Sequence, residues 1–189
     1  MIRPFPTCWL CGNLGRSLCP HKWEWNVEFQ KCYYINEELL NWDDANNRCD
    51  ELWKAHCNED ELGCGDGKAT LAPADCRKEN DHLIYLASTQ SATKYDKVYP
   101  WIGGKNVSGE WTWIGGSKFD PDDPGEWYND EPDGDGDCLW LGGFLNDGIG
   151  NWHDGDCAST RVSICSKKPD IFRFQPDSIW EGVNGGCYN

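Results

Sequence analysis

The sequence predicts an α+β fold that is stabilised by disulfide bonds, and three observations lead to this prediction. The first half of the chain contains two stretches in which apolar residues recur at helical spacing. The second half contains short runs of aromatic and β-branched residues, separated by segments rich in Gly, Asp and Pro, which indicate antiparallel strands with long loops. Twelve cysteines are spread along the 189 residues, and this even count favours a disulfide framework formed in an oxidising compartment.

The two helices are predicted over residues 41–53 and about 75–87. In the first, Asn41 with Asp44 forms an amino-terminal cap before a run of regularly spaced apolar or small residues. The polar, glycine-containing segment 54–70 between the helices reads as a loop insertion. The regularly spaced residues of the first helix are Trp42, Ala45, Cys49, Leu52 and Trp53, and those of the second are Asn80, Leu83, Ile84 and Ala87.

Four strands are predicted in the second half of the chain. One connecting loop, about 115–137, is longer than about 20 residues, and a loop of this length is usually functional or disordered. The predicted strands run from Tyr99 to Ile102, from Trp111 to Ile114, from Cys138 to Leu141 and from Arg161 to Cys165.

The chain is strongly acidic, with a formal net charge of −15. This argues against nucleic acid and anionic membrane surfaces as partners, because both attract positive charge. Cations are natural partners of such a surface, although the acidity could serve solubility alone. No stretch approaches the roughly 20 apolar residues of a membrane span. No secretory signal is visible at residues 1–6, so we expect a mature form or an incomplete gene model of a secreted, extracellular protein.

Short motifs occur along the chain in a fixed order, and together they resemble the long form of the C-type lectin-like family. The resemblance covers residues 19–168, with residues 1–18 as a Cys-containing extension and residues 169–189 as a tail. It implies two helices packed on small antiparallel sheets, with a long calcium-binding loop. The motifs are Cys19-Pro20, Trp23, Lys31-Cys32-Tyr33-Tyr34, Trp42 with Ala45 and Cys49, Leu71-Ala72-Pro73, Glu79-Asn80, Trp101-Ile102-Gly103-Gly104, Trp111-Thr112-Trp113, Gly116-Ser117, Trp127, Glu131-Pro132-Asp133, Cys138, Trp152-His153-Asp154, Cys157 and Ile164-Cys165.

The resemblance also implies three disulfides, which are Cys19–Cys32, Cys49–Cys165 and Cys138–Cys157. The other six cysteines lie outside the family pattern, and their pairing stays open apart from an expected bond within the insertion. A zinc site near the amino terminus is an alternative for two of them. These six are Cys8, Cys11, Cys57 and Cys64 (the expected pair of the insertion), Cys76 and Cys187.

The acidic loop is the implied calcium site. In lectins of this family, a Glu-Pro-Asn or Gln-Pro-Asp loop and a Trp-Asn-Asp strand hold one Ca²⁺ between them, and the proline is cis. The matching positions are Glu131, Asp133 and Asp154, while a further acid before the cysteine would be Asp135 or Asp137. Calcium takes about six to eight oxygen ligands, which carboxylates supply. A merely solvated acidic loop is the alternative interpretation.

The implied carbohydrate site shares Glu131, Asp133 and Asp154 and adds His153, which stands where the family has asparagine. Imidazole is a poor ligand for a hard cation, but it could donate a hydrogen bond to a sugar hydroxyl. Glu-Pro-Asn accompanies mannose-type sugars and Gln-Pro-Asp galactose-type sugars, so the hybrid Glu-Pro-Asp leaves the sugar class open. Tyr128 and Trp140 are candidates for stacking on a sugar face.

We therefore expect a secreted, calcium-dependent lectin that recognises microbial or host glycans. The alternative is a lectin-like domain that binds a protein or a mineral surface without sugar. Catalysis is not expected, because nothing in the sequence marks a buried acid with a raised pKa and the family is not generally catalytic. The sequon at Asn106 predicts N-glycosylation, and the unassigned cysteines leave homo-oligomer formation open.

Overall fold

A computed structural model describes residues 18–57, 64–65, 67–90, 99–116, 127–142 and 152–169. The predictions for Cys8, Cys11 and Cys187, and for the extension and tail, lie outside these residues. The elements in chain order are β1 (Glu24–Asn26), β2 (Lys31–Leu40), α1 (Trp42–His56), β3 (Thr70–Leu71), α2 (Arg77–Gln90), β4 (Trp101–Val107), β5 (Glu110–Trp113), β6 (Cys138–Leu141), β7 (Trp152–His153) and β8 (Arg161–Lys167).

The described strands form one mixed sheet rather than several separate small ones. Its main order is β1-β2-β8-β4-β6-β7, with β3 paired to β8 and β5 paired to β4. Strand β8 bridges the two halves, because it pairs antiparallel with β2 and parallel with β4. The α+β fold class is confirmed, and the two helices come before most of the sheet.

Helix α1 begins where the cap predicts, since the Asn41 side chain accepts a hydrogen bond from the Asp44 backbone N–H at 2.9 Å. It extends three residues beyond the predicted end, to His56. Its buried face packs near β8, and Cys49 is bonded there to Cys165 across 116 residues. Closing so long a loop stabilises the fold by about 4–5 kcal/mol in the chain-entropy model.

The other two disulfides implied by the resemblance also form, and so does the bond expected in the insertion. They are Cys19–Cys32, Cys138–Cys157 and Cys57–Cys64. Cys76 is disulfide-bonded too.

No helix among the described residues is both long enough and apolar enough to span a membrane.

Helix α2 starts at Arg77, two residues later than predicted, and it carries a buried carboxylate into the core. Glu79 is 1% exposed. It accepts hydrogen bonds from the Tyr33 hydroxyl and from Lys31 Nζ at 2.7 Å, and its second oxygen accepts from the Asp75 N–H at 3.2 Å. Burial, followed by the charge of Glu79, raises the pKa of the Tyr33 phenol. Every oxygen of Glu79 therefore has a donor, as a buried charge requires.

The neighbouring residue of α2 positions the strand that leads into the acidic site. Asn80 Oδ1 accepts a hydrogen bond from Trp152 Nε1 at 2.9 Å, which fixes β7 against the helix. Trp152 also packs edge-on against Trp113 and Trp127. Trp101, Trp113 and Trp152 are buried, and Trp111 and Trp127 are partly buried beside them. The residues that follow Trp152 are therefore held on a rigid base.

Candidate functional site: three carboxylates beside an aromatic stack

The acidic loop is held at its start by backbone hydrogen bonds. The Tyr128 N–H donates to the Trp152 carbonyl at 3.0 Å, and the Glu131 N–H donates to the Tyr128 carbonyl at 2.9 Å. The peptide bond between Glu131 and Pro132 is cis, as the resemblance implies. The loop thus enters the site alongside β7.

Three of the predicted acids come together here. Glu131, Asp133 and Asp154 each offer a carboxylate oxygen, and the three oxygens lie within 4.8 Å of one another. Asp154 is 3% exposed, Glu131 is partly buried and Asp133 is exposed. Like charges this close repel one another unless a cation or a proton lies between them.

Asp154 organises the loop. Its Oδ1 accepts from the Asp133 N–H at 3.0 Å, and its Oδ2 accepts from the Gly134 N–H at 2.9 Å. Burial acts to raise the pKa of Asp154. This is outweighed by Glu131, which can donate a hydrogen bond to Asp154 when it is protonated, and by hydrogen bonds from the backbone N–H groups of Asp133, Gly134 and Gly136, so the pKa lies below its ordinary value. Asp154 is therefore a fixed negative charge at the base of the site.

The loop lies tightly against the segment after β7 because two glycines meet there. A Cβ built at Gly136 would come within 1.8 Å of the Gly155 carbonyl carbon. The Cys138 N–H donates to the Gly155 carbonyl at 3.2 Å, and Cys138 is bonded to Cys157. A side chain at position 136 would push the loop away from Asp154.

Glu131 is the electrostatically unusual residue of the site. Its Oε1 lies 2.8 Å from His153 Nδ1, while its Oε2 is buried and accepts no hydrogen bond from any of the described residues. Burial, followed by the nearby carboxylates of Asp154 and Asp133, raises the pKa of Glu131 to about 7. No pattern in the sequence indicated an acid with a raised pKa, because this property depends on carboxylates brought together by the fold.

His153 lies inside a stack of rings. Its imidazole stacks on Trp140 with centroids 4.1 Å apart, and on Tyr128 with centroids 4.9 Å apart. Burial, followed by the charge of Arg161, lowers the pKa of His153. Because Nδ1 is directed at Glu131, the nitrogen left to hydrogen-bond a sugar hydroxyl is Nε2. Nε2 lies close to Gly142, since a Cβ built on this glycine would come within 2.5 Å of it.

Trp140 supports the site from the other side. Its Nε1 donates to the Asp154 carbonyl at 3.0 Å, and the Arg161 guanidinium lies 4.2 Å from the ring centroid. Between His153 and Arg161, the Trp140 ring has little open face for a sugar, which weighs against the stacking role expected from sequence. Sequence reasoning missed Arg161, because an arginine at the start of a strand carries no signal until the fold places it over an indole.

The remaining predicted site residues lie outside the three-carboxylate cluster. Asp135 is exposed, and its backbone N–H donates to Asp133 Oδ1 at 3.0 Å. Asp137 is exposed and its carbonyl accepts from the Asn106 N–H at 2.8 Å. Asn106 lies in β4 just before the turn to β5, and its side-chain oxygen accepts from the Gly109 N–H at 2.8 Å.

The donor set fits a hard divalent cation such as Ca²⁺. Carboxylate oxygens are the ligands such ions prefer, and the buried Oε2 of Glu131, which has no donor among the described residues, is a group that an ion would satisfy. Three carboxylates cannot complete a shell of about six to eight oxygens by themselves, so further oxygens would come from water or from a ligand.

Comparison with known proteins gives the family. Residues 54–167 match the family profile described as the lectin C-type domain. The chain belongs to the C-type lectin family. Members of this family are generally non-enzymatic proteins that bind carbohydrates.

Individual relatives are distant. Bovine E-selectin is 26% identical over 138 residues, which are 71% of this chain and 24% of E-selectin. The chain thus spans about a quarter of that relative's length. The structure of SPL-1 in complex with GlcNAc resembles this chain with a TM-score of 0.59 and 26% identity, and the match covers 79% of this chain and 95% of SPL-1. The Ca²⁺-independent C-type lectin SPL-2 from Saxidomus purpuratus resembles it with a TM-score of 0.59 and 25% identity, and that match covers 79% of this chain and 94% of SPL-2.

Proposed function

We propose that this chain is a secreted lectin that binds a glycan through one Ca²⁺ held by Glu131, Asp133 and Asp154. The observation that carries the proposal is the meeting of these three carboxylates, in which a buried Glu131 oxygen accepts no hydrogen bond from the part of the chain that the structure describes. The family membership supports a carbohydrate ligand, and the complex of SPL-1 with GlcNAc supports it further. The four disulfides between described cysteines support an extracellular setting.

Each residue of the site would have its own task. Asp154 fixes the loop through two backbone N–H groups and supplies a permanent charge. Asp133 is exposed, so it can accept a hydrogen bond from a bound hydroxyl, whereas an amide at this position could also donate one. The ion, when bound, would polarise and hold two neighbouring sugar hydroxyls. His153 keeps Glu131 in place through Nδ1.

A calcium titration followed by calorimetry tests the ion. We expect saturable binding to the full chain, and a loss of at least about tenfold in affinity in Glu131→Gln, because the variant keeps the side-chain shape but loses the charge. Glu110→Gln is the matched control, since Glu110 is an exposed acid of β5 outside the site. Equal calcium affinity in the wild type and Glu131→Gln would refute this assignment.

A glycan array tests the sugar. We expect binding in calcium and its loss in chelator, with Glu131→Gln behaving in calcium as the wild type does in chelator. The array also reports the sugar class that the hybrid motif leaves open. Calcium binding without any glycan binding would contradict the lectin proposal while leaving the ion site intact.

A lectin-like domain that binds a protein or a mineral surface is the second candidate. It is favoured by the engagement of His153, whose Nδ1 is directed at Glu131 and whose ring lies between Tyr128 and Trp140. These contacts leave His153 poorly placed to replace the asparagine amide of the family site. Calcium-dependent adsorption to a mineral surface, together with no binding to any glycan on the array, would favour this candidate.

Further predictions concern features that accompany this function. We propose that residues 19–168 form the lectin domain, with an extension at 1–18, a tail at 169–189, and glycosylation at Asn106. One further acid, Asp135 or Asp137, is proposed to approach the ion when it is bound. Mass spectrometry of glycosidase-treated protein checks the glycan, and sedimentation checks for a homo-oligomer.

A further inference from the structure

His82 is a partly buried residue of helix α2 that contacts the hairpin formed by β1 and β2. Its Nε2 lies 3.3 Å from Asn26 Nδ2, at the last residue of β1. Its ring packs edge-on against Tyr33 of β2, with the centroids 4.9 Å apart, and at a tilt against Phe29, with the centroids 5.7 Å apart. Tyr85, three residues further along α2, stacks on the same ring at 6.5 Å. An imidazole therefore forms part of the contact between the helix and the hairpin.

The Asn26 side chain is held in one orientation by the turn between β1 and β2. Its Oδ1 accepts hydrogen bonds from the Glu28 N–H at 2.9 Å and from the Phe29 N–H at 3.2 Å. Because the amide oxygen is used in this way, the group that faces His82 is the NH2, which can only donate. Nδ2 therefore donates to His82 Nε2, and a ring nitrogen that accepts a hydrogen bond carries no proton. The contact requires a neutral imidazole with its proton on Nδ1.

Protonation of His82 would place two donors against each other. An imidazolium donates from both ring nitrogens, so its Nε2–H would face the Asn26 NH2 group. Asn26 could accept from this N–H only by turning its oxygen towards the ring. That rotation would remove the acceptor of the Glu28 and Phe29 N–H groups, which hold the turn. The geometry of the turn therefore opposes the charged form of the ring.

Charged and titratable groups reach His82 from each element that packs against it. Three carboxylates, on β1, in the turn and on α2, favour the charged imidazole, and they are Glu24, Glu28 and Glu79. Two lysines pair with carboxylates of this set, and two phenols contact the ring; these residues are Lys31, Lys78, Tyr33 and Tyr85. The carboxylates act against the effect of the turn, so their strength decides the outcome.

The lysines offset two of these carboxylates. Glu79 lies 2.7 Å from Lys31 Nζ, and Glu28 lies 3.3 Å from Lys78 Nζ. Burial of the imidazole outweighs the attraction of the three carboxylates, so the pKa of His82 lies below its ordinary value. The folded protein therefore favours the neutral ring, in agreement with the hydrogen bond that the turn donates.

We propose that the contact of His82 with Asn26 is a pH-sensitive switch that loosens β1 and the following turn from helix α2 in mildly acidic conditions. The neutral ring accepts from Asn26 and keeps the turn in place, whereas the protonated ring loses this bond. Strand β2 stays on the helix at the same pH, because the ion pair between Lys31 and Glu79 holds it there. The switch lies apart from the acidic loop and does not depend on the ion proposed there.

The direction of the pH effect follows from the two states of the ring. An unfolded histidine titrates near pH 6.5, and the folded His82 titrates below its own unfolded value. The stabilisation is therefore fully present above about pH 6.5, and it is lost as the pH falls through the pKa of the folded protein. The loosening should appear between about pH 6.5 and 5.

Two measurements on the full chain in chelator test the switch in the wild type. NMR titration of the four histidines, with the His82 signal identified by its absence in His82→Gln, should give a pKa below about 6.5. Hydrogen exchange of the Glu28 and Phe29 amides, corrected for its intrinsic pH dependence, should become at least about threefold faster from pH 7 to pH 5. The amides of β2 should change far less. His82→Gln should lose the pH-dependent part.

Asn26→Asp is the decisive variant, because it should reverse the effect. A carboxylate keeps one oxygen for the two turn N–H groups and offers the other to a protonated imidazole, so the pKa of His82 should rise above its wild-type value. The turn should then be better protected at pH 5 than at pH 7. Asn47→Asp adds the same charge at an exposed position of α1 and should behave as the wild type does.

Four results would overturn the proposal. They are a His82 pKa at or above about 6.5 in the wild type, exchange in the turn that does not change with pH, a pH effect that persists in His82→Gln, and the same pH dependence in Asn26→Asp as in Asn47→Asp. Near-UV circular dichroism at pH 7 checks that each variant is folded. The wild-type titration and exchange decide the question even where a variant does not fold.

Discussion

Two glutamates of this molecule, Glu79 and Glu131, show what buried carboxylates do in two different regions. Glu79 lies in the core with a donor for each oxygen, from Lys31, the Tyr33 hydroxyl and the Asp75 N–H. Glu131 lies in the acidic loop with one oxygen near His153, one oxygen that accepts nothing from residues 18–57, 64–65, 67–90, 99–116, 127–142 or 152–169, and two carboxylates beside it.

The difference separates a residue that stabilises the fold from one that is suited to a ligand. The free energy cost of burying Glu79 is offset within the protein by a lysine and two further donors. The corresponding cost at Glu131 is offset only in part, which is why its pKa rises to about 7. An incompletely satisfied carboxylate among others is what a cation would complete.

The largest effect is expected at Glu79. Glu79→Ala removes the closer of the two carboxylates that contact the buried Lys31 ammonium. The free energy of unfolding should therefore fall by about 3–5 kcal/mol. Denaturant unfolding in chelator measures it. The matched variant Glu131→Ala, under the same ion-free conditions, should cost far less. Comparable losses at the two positions would remove the distinction drawn between them.

The second-largest effect is expected in how the free energy of unfolding of the wild type and of Glu131→Gln depends on pH. In the ion-free protein, the Glu131 carboxyl is protonated more readily when folded than when unfolded, since its pKa is raised from 4.5 to about 7. The stabilisation that the protonated Glu131 carboxyl gives the fold is therefore fully present below the pKa of this group in the unfolded chain, and it is lost as the pH rises through about 7. Wild-type stability should fall relative to Glu131→Gln by up to about 3 kcal/mol between pH 4.5 and 7.5. Parallel pH profiles for the two proteins would show that Glu131 titrates normally.

A smaller effect is expected from Gly136→Ala. The added Cβ would overlap the Gly155 backbone, so the loop must shift away from Asp154. We expect a loss of about 1–3 kcal/mol in the free energy of unfolding, as in other overpacked positions, together with a loss of calcium affinity. Gly109→Ala is the comparison variant: Gly109 has a φ of +92° and a Cβ there meets nothing within 4 Å, so this variant measures the cost of backbone strain without a clash. A calcium affinity that survives in Gly136→Ala would mean that the loop adapts.

The smallest effect is expected from Trp140→Phe. The variant keeps an aromatic ring next to His153 but removes the indole N–H that donates to the Asp154 carbonyl. Losing one such bond should weaken calcium binding by about 0.5–1.5 kcal/mol. Calorimetric titration measures it, and an unchanged affinity would place the hydrogen bond outside the function of the site.

The sequence predicted much of the scaffold. Helix α1 and its cap follow from the spacing of apolar residues and from Asn41, because both signals are local. The motifs that resemble the C-type lectins identified the family and implied the pairing of Cys49 with Cys165, which spacing alone could not assign. The single mixed sheet was not predicted, since the pairing of β8 with both β2 and β4 joins residues that are far apart in the chain.

By itself, the sequence determined the fold class, the family and the acids that could meet an ion, because periodicity and motif order are written in consecutive residues. Only the tertiary structure decided which acids meet. It brought Glu131, Asp133 and Asp154 together and left Asp135 and Asp137 outside the cluster. It also enclosed His153 between two rings and raised the pKa of Glu131. These properties depend on burial and on distances between remote residues, which no local pattern encodes.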